Sequence, residues 1–103
     1  MSIMLNFAMF PTDKGTSVSE YVSKVIKYID SSGVAYKLNP MGTTIETETM
    51  EEALGIVQGA FDILEPVSDR VYSTISIDAR KGKGNRMAGK IASIESKIGD
   101  VSK

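Results

Sequence analysis

Apolar and polar positions alternate at the start of the chain, where Ile3, Leu5, Phe7 and Met9 interleave with Met4, Asn6, Ala8 and Phe10. This is the period-two pattern of a strand with one strongly apolar face and one mixed face. Turn residues follow from Pro11 to Thr16, and Ser17-Val18-Ser19-Glu20 then reads as a capping box that opens a helix. Val18, Tyr21, Val22, Val25, Ile26 and Ile29 mark one face of that helix, and Gly33 is placed to end it. Strand-like content from about Val34 to Leu38 and from about Thr43 to Glu48 brackets Asn39-Pro40-Met41-Gly42. Proline has no N–H for a ladder and glycine tolerates positive φ, so a tight turn or bulge is expected there. Thr49-Met50-Glu51-Glu52 is a second capping box. It opens a helix with Met50, Ala53, Leu54, Val57, Ala60, Phe61 and Leu64 on one side, ending before Pro66.

Arg70 to Arg80 is the clearest strand: Val71, Ser73, Ile75, Ile77 and Ala79 point one way, and Tyr72, Thr74, Ser76, Asp78 and Arg80 the other. Met87, Ala88, Ile91, Ile94 and Ile98 define a third amphipathic helix. The order is therefore βαββαβ plus a C-terminal helix, an α+β chain in the split βαβ arrangement of ferredoxin-like domains. Two helices cover one face of such a sheet. The other face mixes Met4, Ala8 and Phe10 with Asn6, Thr74 and Asp78, which favours cover by a helix, a ligand or another subunit over bare water. A homo-oligomer is expected.

Size and charge narrow the function classes. At 103 residues the chain fits one domain, residues 1–103, and 42% apolar with 24% charged residues is the composition of an ordinary globular protein. Twelve basic and thirteen acidic residues leave a net charge of −1, so no overall attraction draws the chain to nucleic acid or to an anionic membrane. Without cysteine there is no disulfide, thiolate metal site or thiol nucleophile, and without histidine the commonest general base and metal ligand are gone. No metal or cofactor is expected. The apolar start, Met1 to Phe10, lacks a basic lead and runs into Pro11-Thr12-Asp13-Lys14-Gly15, so it reads as neither a signal peptide nor a membrane span and the default location is cytoplasmic.

Few residues carry chemistry. Ser17 and Ser19 stand where free N–H groups and hydroxyls converge at a helix start; capping accounts for Ser17, and Ser19 is less constrained. Glu46 and Asp78 are carboxylates on strands, open to three readings: an acid/base pair, a recognition point for an amino or cationic ligand group, or a solvated face with partners such as Arg80. Arg80, Lys81, Lys83 and Arg86 form a basic, glycine-spaced run. Gly84 to Lys90 approaches the phosphate-loop spacing but places Ile91 where a metal-binding Ser or Thr is required, which rejects nucleoside triphosphate binding.

Taken together, Ser17-Val18-Ser19-Glu20-Tyr21-Val22, Ser32-Gly33 with Tyr36, Pro40-Met41-Gly42-Thr43 with Ile45-Glu46, Arg70-Val71, and Ile77-Asp78 with Arg80 resemble the thiamine-binding protein family of small ferredoxin-like domains. The resemblance implies assembly into dimers or tetramers, and non-catalytic binding of thiamine or its hydroxymethylpyrimidine moiety. The ligand-binding positions it implies are Ser17, Ser19, Met41, Gly42, Thr43, Glu46, Asp78 and Arg80. Thr47 stands where the family tends to have glycine, a departure that bears on ligand approach. The competing expectations are an enzyme using Glu46 and Asp78 as acid and base, and a ligand-free structural or regulatory module.

Overall fold

A computed structural model of the chain describes residues 1–82. The expected third helix with Met87, Ala88, Ile91, Ile94 and Ile98, and the basic-run residues Lys83 and Arg86, lie outside the described residues. Within them the elements follow the order read from the pattern: β1 (Ser2–Pro11), α1 (Val18–Ser32), β2 (Ala35–Asn39), β3 (Gly42–Thr47), α2 (Met50–Leu64) and β4 (Val71–Arg80). Short 3₁₀ turns at Gly15–Ser17 and Glu65–Val67 precede α1 and follow α2.

The four strands form one sheet in the order β2-β3-β1-β4, with β1 antiparallel to both β3 and β4 and β2 antiparallel to β3. Each helix thus carries the chain to a parallel strand two places away, β1 to β2 across β3 and β3 to β4 across β1. This is the ferredoxin-like α+β arrangement.

The odd residues of β1 face the helices. Ile3, Leu5, Phe7 and Met9 are buried with Ile45 of β3, Val25 and Ile29 of α1, and Ala53, Ala60 and Leu64 of α2. On α2 the buried stripe is turned slightly from the expected one, because Ile56 and Ile63 pack on the core while Met50 and Leu54 stay largely exposed. The two helices approach at Gly59, where a side chain would collide with the Tyr28 hydroxyl.

The helix ends match expectation at three of four places. Gly33 caps α1 in the left-handed region at φ 80°, a conformation that costs glycine nothing. Thr49 caps α2: its hydroxyl accepts from the Glu52 N–H at 3.2 Å and donates to the Glu52 carboxylate at 2.9 Å. Leu64 ends α2 before Pro66. The exception is Ser17, whose hydroxyl caps nothing. The 3₁₀ turn enters α1 directly, so Ser17 has near-helical backbone (φ −88°, ψ 7°) in place of the extended conformation a side-chain cap uses. Just past the C-terminal end of β1 a different hydroxyl ties the chain down: Ser68 donates to the Asp13 carboxylate at 2.6 Å, and the Asp69 N–H adds a second bond at 2.9 Å.

The second face of the sheet carries Met4, Asn6, Ala8 and Phe10 half-buried along β1, with Thr44 donating to Asn6 at 2.9 Å and Tyr72 against the Phe10 ring. Along β4 the same face, Tyr72 to Arg80, is exposed.

Candidate functional site

The segment Asn39 to Thr43 builds the first candidate. Asn39 pairs with Gly42, leaving Pro40 and Met41 as a two-residue hairpin loop. Proline presets the first loop φ, and the Asn39 side chain accepts the Met41 N–H at 2.9 Å. The expected reason for Gly42 needs correction. It does not take a positive φ; a Cβ there would stand 2.7 Å from the Phe7 carbonyl oxygen, so glycine is required by the close approach of β3 to β1. With the turn held in this way, Met41 projects outward, 84% exposed, and Thr43 turns inward, 4% exposed.

Beneath this turn lies a cleft of about 240 Å³, walled by Val22, Val25 and Ile26 of α1 and Phe7 and Met9 of β1, with Met41, Gly42 and Thr43 on its hairpin side. Small-molecule sites run from roughly 300 to 1,000 Å³ and are mostly apolar with few polar groups. A space just under that range suits one flat ring. The walls were legible only as core positions, because periodicity marks an apolar face without telling a filled contact from an open one. Ser17 and Ser19 are exposed, on the turn before α1 and in its first turn, and Ser19 lies one helical turn before Val22.

The remaining expected residues gather elsewhere. Glu46 and Asp78 both stand opposite Met4, on the strands flanking β1, and Arg80 stands opposite Ser2. All three belong to the face away from the helices. With strands about 4.8 Å apart, Glu46 and Asp78 are separated by about 10 Å of backbone with β1 between them, wider than a directly shared proton allows. The Ser2 hydroxyl, 1% exposed, donates to the Glu46 carboxylate at 2.5 Å. Thr43 pairs with Phe7 and Glu46 with Met4, which sets them about 10 Å apart along the strand and on opposite faces of the sheet. One small ligand within one subunit does not touch both groups.

A wider groove of about 970 Å³ runs past Glu46 at this second end, between the end of α1 and the start of α2, with Glu48 and Glu52 on its wall. Among the described residues no group of three His, Cys, Asp or Glu could hold a metal ion, and no described helix is long and apolar enough to cross a membrane.

Comparison with known proteins agrees with the order of motifs. The family model described as "Thiamine-binding protein" matches residues 5–95. The UPF0045 protein of Methanothermobacter thermautotrophicus is 34% identical over 84 residues, covering 81% of this chain and 85% of its own. A crystal structure of a hypothetical protein from Methanocaldococcus jannaschii superposes with a TM-score of 0.79 at 32% identity, covering 90% of this chain and 95% of that one. A Thermotoga maritima structure, provisionally titled a thiamine biosynthesis/salvage protein, shares the fold with a TM-score of 0.73 at 24% identity over 95% of this chain and 96% of its own. The chain belongs to the thiamine-binding protein family.

Proposed function

We propose, from membership of the thiamine-binding protein family and the cleft under the 39–43 hairpin, that this chain binds thiamine or its hydroxymethylpyrimidine moiety without turning it over. The observation that carries the reading is the cleft itself, which joins apolar walls from α1 and β1 to the most specific motif of the sequence, Pro40-Met41-Gly42-Thr43. In this reading Phe7, Val25 and Ile26 contact the ring and Met41 folds over its outer face. Thr43 and the serines at the start of α1 supply hydrogen bonds, as small-molecule sites commonly use a few polar groups to fix orientation. The protein acts as a single-domain, cytoplasmic homo-oligomer, dimer or tetramer.

Glu46, Asp78 and Arg80 enter as a second polar cluster on the opposite face, available to a ligand's amino or cationic group only from another subunit or at a separate site. Their shared face also supports a second reading, acid/base chemistry on a related metabolite. The two readings part experimentally. Titration calorimetry with thiamine and with hydroxymethylpyrimidine is expected to give heat that Thr43→Val reduces and Glu46→Gln leaves in place. Absence of heat and of thermal stabilisation at millimolar ligand sinks the binding reading for those compounds. Turnover lost in Glu46→Gln and Asp78→Asn, with folding and binding intact, would establish the enzyme instead.

A further inference from the structure

Sulfur chemistry in this chain is confined to thioethers. It has six methionines and no cysteine, so a peroxide that reaches the protein meets no thiolate, the sulfur that ordinarily reacts first. The described methionines differ widely in access. Met9 is 8% exposed in the core, Met4 is half-buried on the sheet, and Met50 and Met1 are 38% and 55% exposed, whereas Met41 stands at 84%. Position gives that exposure a use. Met41 and Leu38, the latter 61% exposed, are the two long apolar side chains that the hairpin sets at the lip of the cleft.

The two differ in chemistry, since a leucine side chain is inert to peroxide and a thioether is not. The Met41 side chain also takes no part in holding the turn. Residue 41 is fixed through its backbone N–H, which donates to the Asn39 side chain at 2.9 Å, and the close approach to β1 is made by Gly42. A change at the sulfur therefore leaves the hairpin standing and alters what a ligand meets at the mouth of the cleft. Met50 and Met1 lie at the other end of β1, beyond the Ile3 and Thr47 pair, and serve as controls within the same molecule.

We propose that Met41 is a reversible oxidation site that sets the affinity of the cleft: the thioether binds and the sulfoxide releases. This rests on the cleft being the ligand site. The step is a two-electron oxygen transfer. A sulfur lone pair attacks one oxygen of a hydroperoxide, the S–O bond forms as the O–O bond breaks, and the proton on the transferred oxygen passes to the leaving oxygen. That oxygen departs as water from hydrogen peroxide, or as an alcohol from an organic hydroperoxide. Sulfur gives up two electrons and the peroxide takes them. A thiol-dependent sulfoxide reductase reverses the change. The product is polar where the thioether was apolar and adaptable. Folded over a bound ring beside Val22, Ile26 and Leu38, its oxygen leaves water for carbon, and burying an unpaired polar group is unfavourable.

The test uses the full chain and limiting hydrogen peroxide, with peptide mapping by mass spectrometry to follow the gain of one oxygen at each methionine. Met41 is expected to react before Met4, Met9 and Met50; lagging behind any of them overturns the site. Titration calorimetry with thiamine and with hydroxymethylpyrimidine is run before peroxide, after it, and after a sulfoxide reductase with a thiol. Affinity is expected to fall about tenfold on oxidation and to return on reduction, while the thermal melt of the ligand-free chain stays in place. Unchanged affinity at full Met41 oxidation overturns the proposal and leaves the binding reading standing. No heat from the untreated chain removes the binding reading, and this proposal with it. Met41→Leu puts an inert side chain at the lip, so its heat, at whatever level it starts, is expected to be the same before and after peroxide. A peroxide-dependent loss in Met41→Leu assigns the effect to another methionine and overturns the proposal.

Discussion

The cleft under the hairpin and the groove beyond Glu46 lie at opposite ends of β1, and the larger of them has the weaker claim to be a site. The groove offers about 970 Å³ against about 240 Å³ and has more polar side chains on its walls. Many of those polar groups already serve the fold. Thr49 and Glu52 cap α2, the Thr47 hydroxyl donates to the Thr49 carbonyl at 2.8 Å, and Ser2 donates to Glu46. Around the cleft the balance is reversed. Met41 is among the most exposed apolar side chains described, an arrangement that folding does not need and ligand contact would use. Volume records where chains fail to meet, whereas unused chemistry marks where something else can.

The sharpest break of this contrast is Gly42→Ala. Its new methyl meets a backbone oxygen that cannot swing away, so the expected cost is about 1–3 kcal/mol as for other overpacked sites, or about 4–8 °C of Tm for each kcal/mol. Calorimetric melting checks the loss, and ligand heat should fall with it. Met41→Ala separates the two roles of the same turn. Unfolding is expected to stay within about 0.5 kcal/mol of wild type, while loss of the Met41 contact weakens thiamine binding about tenfold, or ~1.4 kcal/mol, by titration calorimetry. A Tm loss equal to that of Gly42→Ala would make Met41 a folding residue and undo the contrast.

Thr49→Ala applies the converse test at the groove. Removal of the cap is expected to cost about 1 kcal/mol in chemical denaturation and to leave ligand heat unchanged; abolished heat would move the site to the groove. The smallest effect is expected at Asp13. The Ser68 hydroxyl, the Asp69 N–H and nearby Lys14 lower its pKa below 3.8 in the folded chain. A depressed carboxylate contributes stability above its unfolded pKa, and that contribution is lost as pH falls through the folded value. Asp13→Asn should therefore flatten the decline of Tm below about pH 4, with little change at pH 7 in the cleft's ligand heat.

The fold was legible because each element has its own local signal: alternation in β1, helical stripes in α1 and α2, and Thr49 followed three residues later by Glu52. Non-local geometry was not. Nothing near Gly42 in the chain announces the Phe7 carbonyl that requires a glycine there, and the Ser17 box is spelled like the Thr49 box although only the latter sits on extended backbone. Ser17, Ser19, Met41, Gly42, Thr43, Glu46, Asp78 and Arg80 read as one set in sequence order. Register divides them between two faces, since Thr43 and Glu46 stand three positions apart, an odd offset, on one strand. Ile75 and Ile77, 46% and 42% exposed, alternate as buried positions do, because period two identifies a face and carries no information on whether anything covers it.

The short edge strand of the sheet has a consequence for growth. A sheet with two receptive margins adds copies without end and becomes a fibre. Here β2 is short, is flanked by Gly33 and Pro40 and carries Lys37, so this margin discourages the addition of a further strand.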